Sequence, residues 1–261
     1  MRAVVRGVGL TGPGLPDWAH ARACLARGGS AAAQATARPR SALLARAEAR
    51  RATGLVHLAL ASAEQVLPAP ADVPADLPVV FASADGDLDI LERNCATLAE
   101  PEPWISPNRF HNSVHNAPSG YWSIATGCRG PSTTLCAGDE SFAAGLLEAA
   151  TEVATTDSDA CLLVACDPAS PPSLAGCRPV PDPFAVALLL GRDGPGTPLR
   201  LGLEGAGADT PCAGARLEAL RTANPAARSL PLLAALAAAT PASVRLARPG
   251  GRLRVDLEAT P

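Results

Sequence analysis

Between Ile105 and Ala150 the chain gathers most of the side chains that could do chemistry: His111, His115, Arg129, Cys136, Asp139 and Glu140. Cys136 offers a thiol, which becomes an acyl-accepting nucleophile when a neighbouring base or a helix start favours the thiolate. His111 and His115 stand four apart, a spacing that could clamp a metal on a helical face or supply a base to Cys136. No third ligand lies nearby and Pro118 argues against a long helix, so loop hydrogen bonding or an interface contact is the favoured role for the two histidines. Asp139 and Glu140 could form an acid/base pair, but adjacent residues at a helix start point in different directions. The spacing predicts instead that Asp139 caps a helix and Glu140 occupies its first turn, complementing the dipole. Arg129, beside Gly130, reads as a structural or interface ion-pair donor rather than a substrate binder.

Positioning these groups requires a strand, a tight turn and a helix, and the local sequence provides them. A Gly-Pro-Ser turn (130–132) leads into a Thr-rich strand, and Ala137-Gly138-Asp139-Glu140 opens an apolar helix. Such a junction is where α/β proteins place a nucleophile or an anion, because the helix start offers unpaired N–H groups. Upstream, the pattern predicts a strand over 3–9, a helix over 17–27, a low-complexity loop over 28–40 and one amphipathic helix over 42–66. His57, inside the apolar LVHLAL, is read as a packing histidine. A connector (67–77), a strand (77–83) and a helix (87–98) follow, and Pro101, Pro103 and Pro107 then force extended chain. Downstream, the continuous apolar runs CLLVAC and AVALLL predict strands over 160–167 and 184–192 that are covered on both faces. Another strand (199–205), two short helices (213–222 and 230–239) and a hairpin around Pro249-Gly250-Gly251 complete an α/β chain.

Composition closes off several functions. All 22 basic residues are Arg, so Schiff-base, P-loop and kinase chemistry that relies on Lys is excluded. A net charge of −3 without a clustered basic face speaks against nucleic acid. Eight cysteines contain no C-x-x-C pair, which favours buried thiols over zinc. No apolar run reaches the roughly 18 residues of a membrane span, and no secretory signal opens the chain, so a soluble cytoplasmic protein is expected. Gly7, Gly9 and Gly12 fit G-x-G-x-x-G after a strand, a dinucleotide-binding reading of oxidoreductase type. Pro13 and Pro16 interrupt the helix start it needs, and the place for a ribose-binding acid reads GGSAAA. No cofactor and no metal are expected.

The order of these elements resembles the N-terminal half of a β-ketoacyl synthase of the thiolase-like fold. The likeness rests on I-S-P (105–107), Asn116 through Gly120 and G-x-R-G-P-S (127–132). VVFASADGDLDILERN (79–94), the opening VVRGVGLTGPG (4–14) and the small residues of the helix after the turn add to it. It implies an α/β fold with a mixed central sheet covered by helices and a buried helix after the Gly-Pro-Ser strand. Residues 1–206 would form the synthase-like domain, and 207–261 a small α+β extension packing on it. Family members present a cysteine about seven residues past that Ser, and here the position is Asp139. Cys136 falls three residues earlier, still on the strand. The two histidines of the family's second half also have no counterpart, since the last His is His115. The resemblance therefore implies a non-catalytic subunit, a chain-length factor of the aryl-polyene or type II polyketide kind. Such a factor pairs with an active β-ketoacyl synthase and, through that complex, meets an acyl carrier protein. Its contributions to the interface and the partner's acyl tunnel would come from Val114, Asn116, Ala117, Ser119 and Gly120, with Gly130, Pro131, Ser132, Thr133, Thr134 and Leu135. The alternative is an active condensing or acyl-transfer enzyme using Cys136 or Asp139 as an unusual nucleophile.

Overall fold

The computed structural model describes residues 1–26 and 39–258. In chain order it contains β1 (Arg2–Thr11), α1 (Trp18–Leu25), α2 (Arg46–Arg51), α3 (Gly54–Ala63), β2 (Val79–Ala82), α4 (Leu88–Leu98), α5 (Pro107–His111), α6 (Ala117–Thr126) and β3 (Ser132–Leu135). Then come α7 (Ser141–Thr155), β4 (Ala160–Asp167), β5 (Phe184–Gly191), β6 (Thr197–Glu204), α8 (Ala215–Ala223), α9 (Leu230–Ala238), β7 (Ala242–Arg248) and β8 (Gly251–Leu257). The strands form one eight-stranded mixed sheet in the order β3-β2-β4-β5-β1-β6-β8-β7. Only β2 with β3 and β2 with β4 run parallel; the other neighbours are antiparallel.

Both faces of the central strands are covered, as their continuous apolar sequences require. Val80, Leu163 and Ala165 pack with α7 and α9 on one face, while Val79, Phe81, Leu162 and Val164 pack with α3 and α6 on the other. Helix α7 lies close on β2 and β4 because Gly145 faces them: a Cβ there would stand 2.9 Å from Leu163 Cδ1 and 3.0 Å from the Ala82 Cβ. With few aromatics, the core is closed by such small residues together with Leu and Val. Among the described residues no helix is long and apolar enough to cross a membrane.

Several sequence expectations need correction. The helix expected over 42–66 is two helices, α2 and α3, because Thr53 turns the chain and its Oγ1 accepts the Val56 N–H at 3.4 Å as a new N-cap. His57 does pack: Nε2 lies 3.0 Å from the Ala49 carbonyl and Nδ1 accepts from the Ser41 N–H at 3.4 Å. The stretch expected to be extended or loop from Pro107 to Gly120 holds α5 and the start of α6. Pro107 and Pro118 occupy first-turn positions, where a missing N–H costs nothing and a fixed φ helps. The dinucleotide reading fails, since β1 has antiparallel neighbours on both sides and the fingerprint needs a parallel βαβ unit. Its glycines answer to packing: a Cβ on Gly9 would collide with the Ser62 carbonyl, and one on Gly12 with the Phe184 ring. The loop expected over 28–40 falls, for 28–38, outside the described residues, as do the end of the helix expected over 17–27 and the GGSAAA segment.

Candidate functional site

The strand-turn-helix junction forms as expected. Strand β3 ends at Leu135, the chain bends through Cys136 to Glu140, and α7 begins at Ser141. Gly138 sits at φ +56, a left-handed conformation that disfavours a Cβ, so glycine is what permits the tight bend. The expected cap does not form. Glu140 occupies the N-cap position without a side-chain bond, and the Ser141 hydroxyl ties the turn by accepting the Ala137 N–H at 2.9 Å and donating to the Gly138 carbonyl at 2.7 Å.

Asp139 instead reaches two arginines from distant parts of the chain. Its Oδ1 accepts from Arg178 Nη1 at 2.7 Å and its Oδ2 from Arg228 Nη2 at 2.8 Å. Arg178, on the loop between β4 and β5, also donates through Nε to Asp85 on the loop after β2. The junction, two sheet-end loops and the turn Ala226–Ser229 are thus tied by one charge network. Each carboxylate oxygen of Asp139 is held by one guanidinium, which draws off the electron density that an attack on an acyl carbon would use. Cys136 is exposed, and its Sγ donates to the Ala84 carbonyl at 2.7 Å. Among the described residues no histidine bonds to it. His111 stacks edge-on against Tyr121 with ring centroids 6.0 Å apart, while the His115 ring lies against Gly86.

Beside this network stands Asp167, the last residue of β4 and fully buried. It accepts from the Ala84 N–H at 2.7 Å and from Ser83 Oγ at 3.0 Å, while its Oδ2 has no partner. Burial pushes its carboxyl up to about 6. Sequence reasoning did not single out Asp85, Asp167, Arg178 or Arg228. The signal for Asp167 was available: an acid terminating an apolar strand lies at the carboxyl end of a sheet, where α/β folds place functional polar groups. All eight cysteines are free. Burial pushes the Cys161 thiol up to about 12 and Cys166 well above its usual value, which makes these two inert. Among the described residues no group of three or more His, Cys, Asp or Glu is placed to hold a metal.

The remaining candidate residues meet at the edge of the sheet. Strand β3 is terminal, paired with β2 alone. The bonds Val79 N–H to Pro131 O and Ser83 N–H to Leu135 O turn the odd-numbered residues toward β2, so the backbone groups of Ser132 and Thr134 face outward. Between this edge and α6 opens a cavity of about 380 Å³ whose lining includes Asn116, Ser119, Gly120, Arg129, Gly130 and Ser132. Val114 (49% exposed), Pro131, Thr133, Thr134 and Leu135 are not part of that lining, nor is Ala117, which is buried.

Against known families, residues 18–247 match the family model described as β-ketoacyl synthase, N-terminal domain. A search of curated proteins returns no match. Among solved structures the chain is similar to a chain of a ketosynthase (ApeO) in complex with its chain length factor (ApeC) from Xenorhabdus doucetiae, at 22% identity and a TM-score of 0.75 over 99% of each chain. It is also similar to the ishigamide ketosynthase/chain length factor, at 16% identity and TM-score 0.71, covering 98% of this chain and 99% of that one. A third, AntDE:AntF, a type II polyketide synthase acyl-carrier protein in complex with its hexaketide-bound ketosynthase, gives 12% identity and TM-score 0.73 over 99% of each chain.

Proposed function

The chain belongs to the β-ketoacyl synthase N-terminal domain family, and on that footing we propose that it is a non-catalytic ketosynthase-like subunit, a chain-length factor. Its mixed eight-stranded sheet with covering helices is the thiolase-like ketosynthase fold. In this reading it pairs in the cytoplasm with an active β-ketoacyl-acyl-carrier-protein synthase, shapes that partner's acyl tunnel in aryl-polyene-type biosynthesis, and meets the carrier protein through the complex. Residues 1–206 are the synthase-like domain, and 207–261 are an extension bound to it by Arg228 and the β6–β8 ladder.

One observation carries the proposal. The position that follows the Gly-Pro-Ser strand and opens the buried helix, where the family presents its thiol, holds a carboxylate locked between Arg178 and Arg228. Such a group braces a scaffold and does not form a thioester. The unpaired β3 edge, with the cavity beside it, supports a partner strand on that side. The single chains of ketosynthase complexes that it matches share its fold over 98–99% of its residues, which supports a ketosynthase-like subunit.

Co-expression with candidate ketosynthases, size-exclusion chromatography and product mass spectrometry test the reading. Co-elution, with product formed only by the pair, is expected; products from this chain alone would overturn it. Gly120→Leu sharpens the test. Nothing lies within 4 Å of a Cβ at Gly120, and leucine is the better helix former by about 0.8 kcal/mol. The variant therefore folds, narrows the cavity and shifts the pair toward shorter products. An unchanged product distribution from the reconstituted Gly120→Leu complex would remove the tunnel role from α6.

A further inference from the structure

On the subunit reading above, we infer that Arg129 selects the partner, by pairing with an Asp or Glu that the other chain brings into the cavity between α6 and the β3 edge. Arg129 is exposed and lines that cavity, yet among the described residues its guanidinium makes neither an ion pair nor a hydrogen bond. The cavity lining contains no Asp or Glu at all. Other described arginines, among them Arg2, Arg46 and Arg216, also lack a carboxylate; what sets Arg129 apart is its place in an acid-free cavity beside the unpaired β3 edge.

The backbone that carries Arg129 is fixed from both sides. Its own N–H donates to the Ala75 carbonyl at 2.7 Å. Before it, the Cys128 carbonyl accepts from Ser123 Oγ at 2.7 Å and the Cys128 thiol donates to Leu77 O at 3.3 Å. After it, Gly130 lies so close to the Asp76 and Leu77 carbonyls that no Cβ fits. The side chain thus springs from a rigid base and loses little backbone freedom on pairing, the arrangement of a pre-organised anchor. Its fork matches a carboxylate bidentately.

The occupant follows from charge. A second copy of this chain would bring another acid-free cavity with its own Arg129, which offers no counter-ion. A ketosynthase chain with a carboxylate near its own edge strand supplies one, so the arginine favours the mixed pair over self-pairing by the rule that wrong partners are rejected through unmatched charge.

The test measures affinity of the purified chain for a ketosynthase with which the wild type co-elutes, at low and high salt. Arg129→Met, which keeps the stem and removes the charge, is expected to weaken binding about tenfold and flatten its salt dependence, and Arg129→Glu to weaken it further. Both variants should keep the wild-type melting temperature, because the side chain touches no partner within the chain. Equal affinity and equal salt dependence in all three proteins would overturn the inference while leaving the subunit reading intact. A wild type that binds no ketosynthase would instead overturn the subunit reading on which the inference rests.

Discussion

Asp139 and Asp167 are carboxylates near the same sheet end, and their surroundings give them opposite tasks. Asp139 is 45% exposed at its side chain and satisfied by two guanidiniums. Asp167 is buried with one oxygen unpartnered. Removing charge therefore acts in opposite directions at the two sites. Asp139→Asn keeps the shape but leaves Arg178 and Arg228 short of a counter-ion, and should lower stability by about 1–2 kcal/mol in thermal or urea unfolding. Asp139→Cys should lose the same brace and gain no acyl-enzyme, read by intact mass after incubation with an acyl thioester; an adduct formed without a partner chain would contradict the non-catalytic reading. For Asp167 the sign follows from its folded value of about 6 against a reference of 3.8. Between those values the folded chain holds a proton that the unfolded chain has released, so stability is greatest at the acidic end and falls as pH rises through 6. The loss amounts to at most about 3 kcal/mol. Asp87, raised in the same direction by burial, adds to the trend. Melting temperature measured from pH 4 to 8 should decline in the wild type and flatten in Asp167→Asn; parallel profiles would disprove the assignment.

At the scale of elements, the strands were the readable part of the sequence and the helix boundaries were not. The runs at 160–167 and 184–191 and the hairpin at 242–257 were legible because a strand covered on one or both faces writes its period into adjacent residues. Pro107 and Pro118 misled because the same ring that breaks a helix interior starts a helix when it falls in the first turn. The junction after β3 was legible through Gly-Pro-Ser and Gly138, yet the partners of Asp139 were not: they lie 39 and 89 residues away, and nothing local marks them. The edge position of β3 followed only from the family resemblance, which put residues 130–135 at the interface, because strand order is a property of the whole sheet that no local pattern records. That position makes a paired prediction at 133 and 134. The Thr134 N–H faces outward, so Thr134→Pro should leave the β2 ladder intact, keep the chain folded and abolish association with a ketosynthase. Thr133→Pro removes a donor that points to β2 and should destabilise the isolated chain itself. Equal loss of fold in both variants, seen by circular dichroism, would show that the parity of the edge has been misread.

The whole molecule is held as one body by its C-terminal strands. Strand β8 pairs residue by residue with β6 from Leu199↔Leu257 to Glu204↔Arg252, and β7 closes the far edge of the sheet. Val244, Leu246, Leu253, Val255 and Leu257 from this hairpin are buried in the same core as β1, β5, α7 and α9. Five such side chains represent about 8–15 kcal/mol of burial at about 1.5–3 kcal/mol each, which equals the entire net stability of an ordinary domain. The hairpin is therefore no appendage that the rest can lose, even though the junction and the β3 edge lie at the opposite end of the sheet. A chain ending at residue 241 should be unfolded or aggregated rather than trimmed, with β6 left as an open apolar edge. The full chain should melt in one transition that takes the hairpin and the Asp139 junction together. Hydrogen exchange followed by mass spectrometry separates the cases: similar protection in β8 and β4 is expected, whereas a hairpin that exchanges far ahead of β4 would show two stability units in place of one.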